Sequence, residues 1–355
     1  MPFSINLLSA EKGLFMRRAR VLPLVMLTLF SVPMAAGAQT PGEVFRKVTP
    51  SVVVIRAKGS EVTAAGTVRF NETGSGVLIS NDGKIMTAAH VVHSMNEIDV
   101  EFLGGETVKA KVIASEPAAD LSLIQIDRVP PGAKVAKMAN SDTVQVGDPV
   151  YIVGAPYGLS YSLSAGLISA RWPPNTVHKA MPLAEFFQTN ATINTGNSGG
   201  PMFNAAGEVI GIVSHNISKS GGSEGLGFVV TMKTAQQLLL EKRSFWSGLE
   251  GQMLSDDLAD LLNVPNNMSG YLVKSVAKDS PGDWAGLRGG KRVATIDGQQ
   301  VVLGGDIVLS VDGIQATAAN IPKIRDHMNN IKAGGPFKVS VLRAGKVMEL
   351  TGKAP

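Results

Sequence analysis

Gly196-Asn197-Ser198-Gly199-Gly200-Pro201, near the middle of the 355-residue chain, places one serine where little crowds its backbone. A serine that attacks a carbonyl needs N–H donors for the oxyanion of the tetrahedral intermediate. The N–H groups of Gly196 and Ser198 are the candidate donors, and Gly199 and Gly200 have no side chain to obstruct a substrate. The same composition is also typical of a plain surface turn. The stretch therefore predicts a nucleophile only if the chain also supplies a base.

A general base has to take the serine proton, because a hydroxyl is a weak nucleophile by itself. The chain has five histidines. One of them, His90, follows Ile85-Met86-Thr87-Ala88-Ala89, an apolar strand that runs into a short turn and gives the imidazole a rigid mount. His93 lies three residues further on. A His-x-x-His pair without a glutamate is not a zinc signature, so we interpret His93 as a turn or surface residue and predict no metal site.

A carboxylate that orients the imidazole would complete such a site. Asp120 is the candidate, because it precedes Leu121-Ser122-Leu123-Ile124-Gln125-Ile126, a strand with apolar residues at alternate positions. An aspartate at the edge of a strand also marks turns. The chain order His90, Asp120, Ser198 favours the catalytic interpretation, since it is the order of chymotrypsin-type sites and differs from that of subtilisins and α/β-hydrolases.

Three motifs carry a resemblance to a known family. Thr87-Ala88-Ala89-His90, Ala119-Asp120-Leu121-Ser122-Leu123 and Gly196–Pro201 together resemble the HtrA/Deg serine proteases, over roughly residues 40–355. The resemblance implies that His90 is the general base, Asp120 its orienting carboxylate and Ser198 the nucleophile. Gly196 and Ser198 would then form the oxyanion hole.

The specificity pocket is predicted from the same resemblance. Its floor lies six residues before the nucleophile, at the uncharged Thr192, so a basic substrate side chain would be buried without a partner. The expected walls favour small aliphatic side chains and comprise Val213, Ser214, His215, Gly227 and Phe228. The chain departs from the family at Asn190, where an acidic residue is usual, and at Val213-Ser214, where Asn-Thr is usual.

Two runs of six short strands indicate a mostly β protein, in keeping with 39 glycines and many turn signals. The first run comprises residues 51–56, 74–80, 84–87, 98–102, 108–114 and 121–126. The second comprises residues 149–154, 160–169, 186–189, 201–204, 209–214 and 225–230. We expect a chymotrypsin-like double β-barrel with the catalytic residues in the cleft between the barrels. Residues 234–240 have helical character.

A change of composition at residues 244–251 marks a second domain of about 100 residues. Its motifs resemble a PDZ domain. Ser269-Gly270-Tyr271-Leu272-Val273 resembles the carboxylate-binding loop and the strand that accepts a peptide. A helix from about residue 321 to 331 would present Ile324 and Met328 to the groove, although residues at this spacing are also typical of a core.

A short internal echo interrupts the PDZ-like segment. Gly289-Gly290 and Asp297-Gly298 recur fifteen residues later as Gly304-Gly305 and Asp312-Gly313. Each Asp-Gly predicts a hairpin turn. We interpret residues 289–303 as an extra hairpin or extended loop.

The first 38 residues predict a secretory signal. Three arginines precede an apolar run over residues 21–34, and Ala36-Gly37-Ala38 forms a small-residue cleavage site before Gln39. An uncleaved signal anchor is the alternative. These residues carry four basic side chains and one acidic one, so the formal charge of +4 falls to +1 without them, which argues against a nucleic-acid partner. The absence of cysteine excludes a thiol protease and a thiolate zinc site.

The sequence thus predicts a signal peptide (1–38), a trypsin-like serine protease domain (39–245) and a PDZ domain (250–355), with no cofactor. The resemblance implies an endopeptidase of the periplasm that cleaves unfolded exported proteins in quality control. It also implies regulation by C-terminal peptides and a homo-oligomer, expected to be a trimer. The alternative is a peptide-binding or chaperone-like protein whose proteolysis is weak or conditional.

Overall fold

A computed structural model describes residues 39–242, 244–265 and 269–354. The predicted signal segment, 1–38, lies outside the described residues. Within these ranges, none of the helices combines the length and apolar character needed to cross a membrane. The described residues from Gln39 onward belong to one compact unit.

The first six strands close into a barrel in the order β1-β2-β3-β6-β5-β4. Their bounds are Val52–Thr63 (β1), Gly66–Leu78 (β2), Lys84–Thr87 (β3), Glu97–Glu101 (β4), Thr107–Glu116 (β5) and Leu121–Ile126 (β6). The predicted positions are confirmed, but β1 and β2 continue as a two-stranded ribbon that pairs as far as Thr63 and Gly66. The chain offers no glycine between Gly59 and Gly66, so the turn comes late.

The next six strands close into a second barrel in the order β10-β11-β12-β9-β8-β7. Their bounds are Pro149–Gly154 (β7), Ser162–Trp172 (β8), Phe186–Thr189 (β9), Pro201–Phe203 (β10), Val209–Asn216 (β11) and Gly227–Thr231 (β12). The two barrels adjoin along a shared apolar cluster that takes Val77 and Leu121 from the first and Val153 and Ile212 from the second. The predicted double barrel is therefore confirmed.

Short helices connect and flank the barrels. Helix α1, Pro41–Val48, begins with a capping box between Thr40 and Glu43, which satisfies N–H groups that a helix start leaves unpaired. Helix α2 is Ala89–Val92, and the predicted helix at 234–240 is resolved as α3, Met232–Gln236, followed by a wider turn over Gln237–Glu241.

The remainder of the chain forms a six-stranded sheet in which β13-β14-β17-β19-β20 are neighbours and β18 pairs with β17. The bounds are Leu249–Met253 (β13), Tyr271–Val276 (β14), Ile307–Val311 (β17), Ile314–Gln315 (β18), Pro336–Arg343 (β19) and Lys346–Lys353 (β20). Helices α4, Asp256–Leu261, α5, Pro281–Trp284, and α6, Ile321–Asn330, pack around it. This arrangement is consistent with the predicted PDZ domain.

The fifteen-residue echo corresponds to two hairpins. Strands Arg292–Ile296 (β15) and Gln299–Leu303 (β16) form a separate two-stranded sheet whose turn is Asp297-Gly298, both with positive φ (49° and 78°). Asp312-Gly313 repeats that conformation between β17 and β18 (φ 45° and 80°). The predicted extra hairpin is confirmed, and its Val301 is fully buried in the core of the PDZ-like unit.

The contact between the barrels and the PDZ-like unit is apolar as well as polar. Trp246 and Ala277 are buried in the same cluster as the core of the first barrel, beside residues such as Val53 and Val92. The indole Nε1–H of Trp246 donates to the carbonyl of His93 at 2.8 Å. The first barrel is thus completed by side chains that follow it in sequence by more than a hundred residues.

Candidate active site

The predicted base and its carboxylate are hydrogen-bonded. The Nδ1 atom of His90, in α2, lies 2.9 Å and 3.0 Å from the two carboxylate oxygens of Asp120. The backbone N–H of His90 also donates to Asp120 Oδ1 at 3.1 Å. Asp120 ends the 3₁₀ turn Pro117–Ala119 in the left-handed conformation (φ 54°), which an aspartate tolerates better than most residues. The pair is fixed at the backbone as well as at the side chains.

Burial and the charge of the partner shift the pKa of each member of this pair in opposite directions. Burial by itself lowers the pKa of His90, but the hydrogen bond with Asp120 and the negative charge of that carboxylate raise it above 6.5 overall. Burial likewise raises the pKa of Asp120, yet the bonds from His90 and Ser214 outweigh it and lower the pKa overall. Asp120 is only 3% exposed and remains a carboxylate at neutral pH. It can therefore stabilise an imidazolium that forms on His90.

Ser214 has a role that the sequence did not predict. Its hydroxyl donates to Asp120 Oδ2 and also lies 3.0 Å from His215 Nδ1. We expected Ser214 to be a pocket wall. The signal was available in the departure from the family pattern, because Ser214 and the usual threonine share a hydroxyl. Ser214 instead orients the carboxylate from the second barrel.

Ser198 lies on the loop between β9 and β10, at the mouth of the second barrel. Its hydroxyl donates to the carbonyl of Ser214 at 3.2 Å. Among the described residues, neither the N–H of Gly196 nor that of Ser198 donates to a protein acceptor. Free N–H groups beside a nucleophile are what an oxyanion hole requires.

Ser75, in β2, anchors this loop to the first barrel. Its hydroxyl donates to the carbonyl of Gly196 at 2.7 Å and accepts from the N–H of Ala155 at 3.0 Å. Its own N–H donates to the carbonyl of Ser198 at 2.8 Å. Ser75 is fully buried, so these bonds are shielded from water. The role of Ser75 was not predicted, although Gly74-Ser75-Gly76 is an unusual composition for a buried strand.

Two glycines of the motif are required by the backbone. Gly196 has φ 99° and faces the carbonyl of Ala155 too closely for any side chain. Gly199 has φ 80° and approaches Thr87 Oγ1 and the carbonyl of Ser75 in the same way. Both positions combine a left-handed φ with a close contact, so the motif is built for this fold and is not a plain surface turn.

Comparisons with known proteins agree with this geometry. The trypsin-like peptidase domain family matches residues 74–212. A protein of Ectopseudomonas mendocina (strain ymp), described as a probable periplasmic serine endoprotease of DegP-like type, is 34% identical over 274 residues, or 76% of this chain and 55% of that protein. A relative with the same description from Hahella chejuensis is 34% identical and covers 70% of this chain and 53% of its own length.

Solved structures give the same result over more of the chain. The HtrA-type protease AlgW with a decapeptide superposes with a TM-score of 0.52 at 26% identity, covering 89% of this chain and 98% of that one. AlgW with a tripeptide gives the same score and identity. The chain belongs to the HtrA/Deg family of serine proteases. It spans about half the length of the curated relatives it matches.

The predicted specificity pocket of this HtrA/Deg chain is only partly brought together. Thr192 is exposed, and its carbonyl is 3.5 Å from Asn197 Nδ2. Val213 is fully buried in the core of the second barrel and cannot touch a substrate, so its assignment as a wall is wrong. Gly227 is buried at the start of β12, where a side chain would meet Ile193.

An aromatic cluster forms around His215, which we expected as a pocket wall. Its ring stacks on Phe228 (centroids 5.1 Å apart) and meets His178 and Phe186 edge-on. Burial, with the neighbouring His178, lowers the pKa of His215 to about 4. The imidazole of His215 is therefore uncharged at neutral pH, in keeping with a pocket that rejects charged side chains.

The PDZ groove of this HtrA/Deg chain differs from the predicted one. Strand β14, which contains Tyr271, Leu272 and Val273, pairs with β13 on one side and β17 on the other. An interior strand has no free edge, so the prediction that Gly270–Val273 accepts a peptide is wrong. Leu272 and Val273 are core residues.

The free edge belongs to β13, Leu249–Met253. It faces α6 across a cavity of about 410 Å³ that is lined by Leu249, Tyr271, Ile324, Met328 and Phe337. Three of the predicted groove residues, Tyr271, Ile324 and Met328, thus line the cavity. Gly248, just before β13, has φ 73°. A left-handed glycine is the backbone conformation from which carboxylate-binding nests are built, and the N–H of Leu249 that follows it donates to Ser247 Oγ at 3.3 Å.

Proposed function

We propose that this protein is a serine endopeptidase that uses His90, Asp120 and Ser198. The observation that carries the proposal is the bond from His90 Nδ1 to the buried Asp120 carboxylate. That bond leaves Nε2 as the basic nitrogen of the neutral imidazole. His90 takes the proton of Ser198 as its hydroxyl attacks, and then protonates the leaving amine. Water repeats the cycle on the acyl-enzyme.

One contact supports conditional activity. The Ser198 hydroxyl donates to the Ser214 carbonyl, so it has to turn towards His90 before it can attack. We therefore propose that the form seen here is less active than one in which the Ser198 hydroxyl is bonded to His90. This observation also favours the second candidate, a peptide-binding or chaperone-like protein with weak proteolysis.

Labelling by a fluorophosphonate, with cleavage of an unfolded protein such as casein, tests the assignment. The Ser198→Ala variant is expected to lose the label and nearly all cleavage, because no nucleophile remains. Ser169→Ala, which changes an exposed serine of β8, is the matched control and should keep both. Undiminished cleavage by Ser198→Ala would contradict the proposal, and a chaperone-like protein would suppress aggregation without taking the label.

We further propose that C-terminal peptides bind between β13 and α6. The cavity there is mostly apolar, its strand edge is unpaired by other strands among the described residues, and a left-handed glycine of the kind found in carboxylate-binding nests precedes the strand. These features match β-augmentation with an apolar last residue and a captured carboxylate. The AlgW structures that resemble this chain contain peptides.

The remaining assignments follow from the relatives. We propose that the protein is exported to the periplasm and acts on unfolded proteins there, with residues 39–245 as protease domain and 250–355 as PDZ domain. We also propose a homo-oligomer, expected to be a trimer. Exposed Tyr157 and Leu159, each 67% accessible, support an interface near the active-site loop. Sedimentation of the chain without residues 1–38 tests the oligomer.

A further inference from the structure

The catalytic cleft and the peptide groove share a wall. A cavity of about 370 Å³ opens beside His90 and Asp120, and the groove of about 410 Å³ lies behind it. Two residues line both cavities, His93 and Pro117. His93 caps the C-terminal end of α2, one turn after the proposed base. A movement of the His93 side chain therefore changes the lining of both cavities.

The side chain of His93 is bonded on both sides. Its Nε2 lies 3.1 Å from the carbonyl of Leu249, and its Nδ1 lies 2.7 Å from the hydroxyl of Ser115. A carbonyl only accepts, so the proton is on Nε2 and the imidazole donates to Leu249. Ser115 then donates to Nδ1 and in turn contacts Ser122 at 2.7 Å. Burial lowers the pKa of His93, which keeps this neutral tautomer at physiological pH.

The carbonyl that His93 occupies is one that a bound peptide needs. Carbonyls of successive strand residues point to opposite edges. The carbonyl of Gly248 points inward and accepts from the N–H of Ala277 at 2.8 Å. The next carbonyl, that of Leu249, therefore points outward to the free edge of β13, where an added strand would donate its first N–H.

We propose that His93 gates the peptide groove by occupying the Leu249 carbonyl, so that a docking C-terminal peptide has to displace the imidazole. The inference rests on the peptide site proposed above and adds its regulation. Trp246 holds the backbone carbonyl of His93, so the imidazole leaves first while the end of α2 stays tethered. Displacement breaks the bond from His93 to Ser115 in β5, a hydroxyl that is itself bonded to Ser122 in β6.

The test measures peptide affinity in the full chain without residues 1–38. The probes are fluorescein-labelled decapeptides that end in Val, Leu, Ile or Phe, followed by fluorescence anisotropy. His93→Ala should lower the Kd about fivefold, roughly the value of one neutral hydrogen bond that no longer competes. His93→Gln keeps an N–H donor of similar reach and should bind within about twofold of the parent.

Trp246→Phe is the matched control, because it removes a different hydrogen bond at this junction and leaves the Leu249 carbonyl occupied. It should give no gain in affinity. An equal gain in Trp246→Phe and His93→Ala would mean that loosening the junction suffices, which would overturn the gate. An unchanged Kd in His93→Ala would overturn it too, whereas no binding by any form would overturn the peptide site itself.

A measurement on the unsubstituted chain keeps the proposal falsifiable if His93→Ala does not fold. In a sample with ¹⁵N-labelled histidine, the Nε2–H signal of His93 should be protected from exchange in the free protein. Saturation with a binding peptide should remove that protection. Protection that persists at saturation would show that the peptide does not displace the imidazole.

Discussion

At the scale of single residues, the proposed catalytic centre depends on how Asp120 is held. Its carboxylate receives the His90 backbone N–H, the His90 imidazole and the Ser214 hydroxyl. Three donors on one buried carboxylate keep it ionised and fix its direction. The direction of Asp120 in turn fixes the tautomer of His90, on which proton transfer depends.

Ser214→Ala should therefore reduce kcat about ten- to a hundredfold with little change in KM. A hydrogen bond to a charged group contributes about 1.5–3 kcal/mol, and the carboxylate would lose that support in the transition state. Steady-state cleavage of a quenched peptide measures the effect. Ser214→Thr keeps the hydroxyl and should stay within about threefold of the parent. Equal losses in both variants would mean that shape, not the hydroxyl, matters at this position.

The pH profile of kcat/KM should rise to a plateau with a midpoint above 6.5, because only neutral His90 accepts the serine proton and Asp120 raises its pKa. In Asp120→Asn the supporting charge is gone while burial still disfavours the imidazolium. The midpoint should then move to lower pH and the plateau should fall steeply. A rate series from pH 5.5 to 9 measures both quantities, and a midpoint that stays in place would contradict the assigned pair.

At the scale of elements, the positions of the strands were predictable, whereas the hydrogen bonds between the barrels and the order of strands in the C-terminal sheet were not. Short apolar runs separated by turn signals located all twelve barrel strands, and Asp297-Gly298 located an extra hairpin. The roles of Ser75 and Ser214 were missed because their bonding partners lie on the other barrel, so that local signals mark the residues without showing what they bond. The wrong peptide strand has a similar cause, since Tyr271–Val276 and Leu249–Met253 both follow a glycine and only the pairing shows which one is at the edge.

The loop of Ser198 should lose its position when its tie to β2 is cut. Ser75→Ala leaves the carbonyl of Gly196 and the N–H of Ala155 buried without a partner, at a cost of about 1–3 kcal/mol in unfolding free energy. The rate of fluorophosphonate labelling should fall as well. Urea unfolding and labelling kinetics give the two readings. Ser169→Ala, at an exposed position of β8, should shift stability by no more than about 0.5 kcal/mol, and a similar result for Ser75→Ala would remove Ser75 from the site.

At the scale of the whole molecule, one ion pair joins the first barrel to α6. Arg325 lies 3.6 Å from Glu116, whose side chain is 7% exposed. Burial raises the pKa of Glu116 despite the neighbouring cation. The ionised carboxylate is thus stabilised by Arg325 and by the N–H of Ala118, and the contact between the units is sensitive to removal of either member of the ion pair.

Arg325→Ala should lower the unfolding free energy at pH 7.5 by about 1–3 kcal/mol, since it leaves a buried carboxylate unpaired. Because the folded-state pKa of Glu116 is raised, the protonated form is favoured in the fold, and the loss should shrink as the pH falls towards 5. Glu116→Gln added to Arg325→Ala should recover most of the stability. Urea unfolding of the single and double variants at both pH values measures this, and a loss independent of pH would point to packing by the arginine stem instead.

The burial of Trp246 against the first barrel also limits where the protein can be truncated or have a domain exchanged. A fragment that ends at residue 245 would expose an apolar surface of the first barrel and would be prone to aggregate. Fusing a different PDZ domain after residue 245 would expose the same apolar surface unless Trp246 were retained. The barrels and the PDZ-like unit share part of their interior, so the proposed proteolytic and peptide-binding parts would be inherited together.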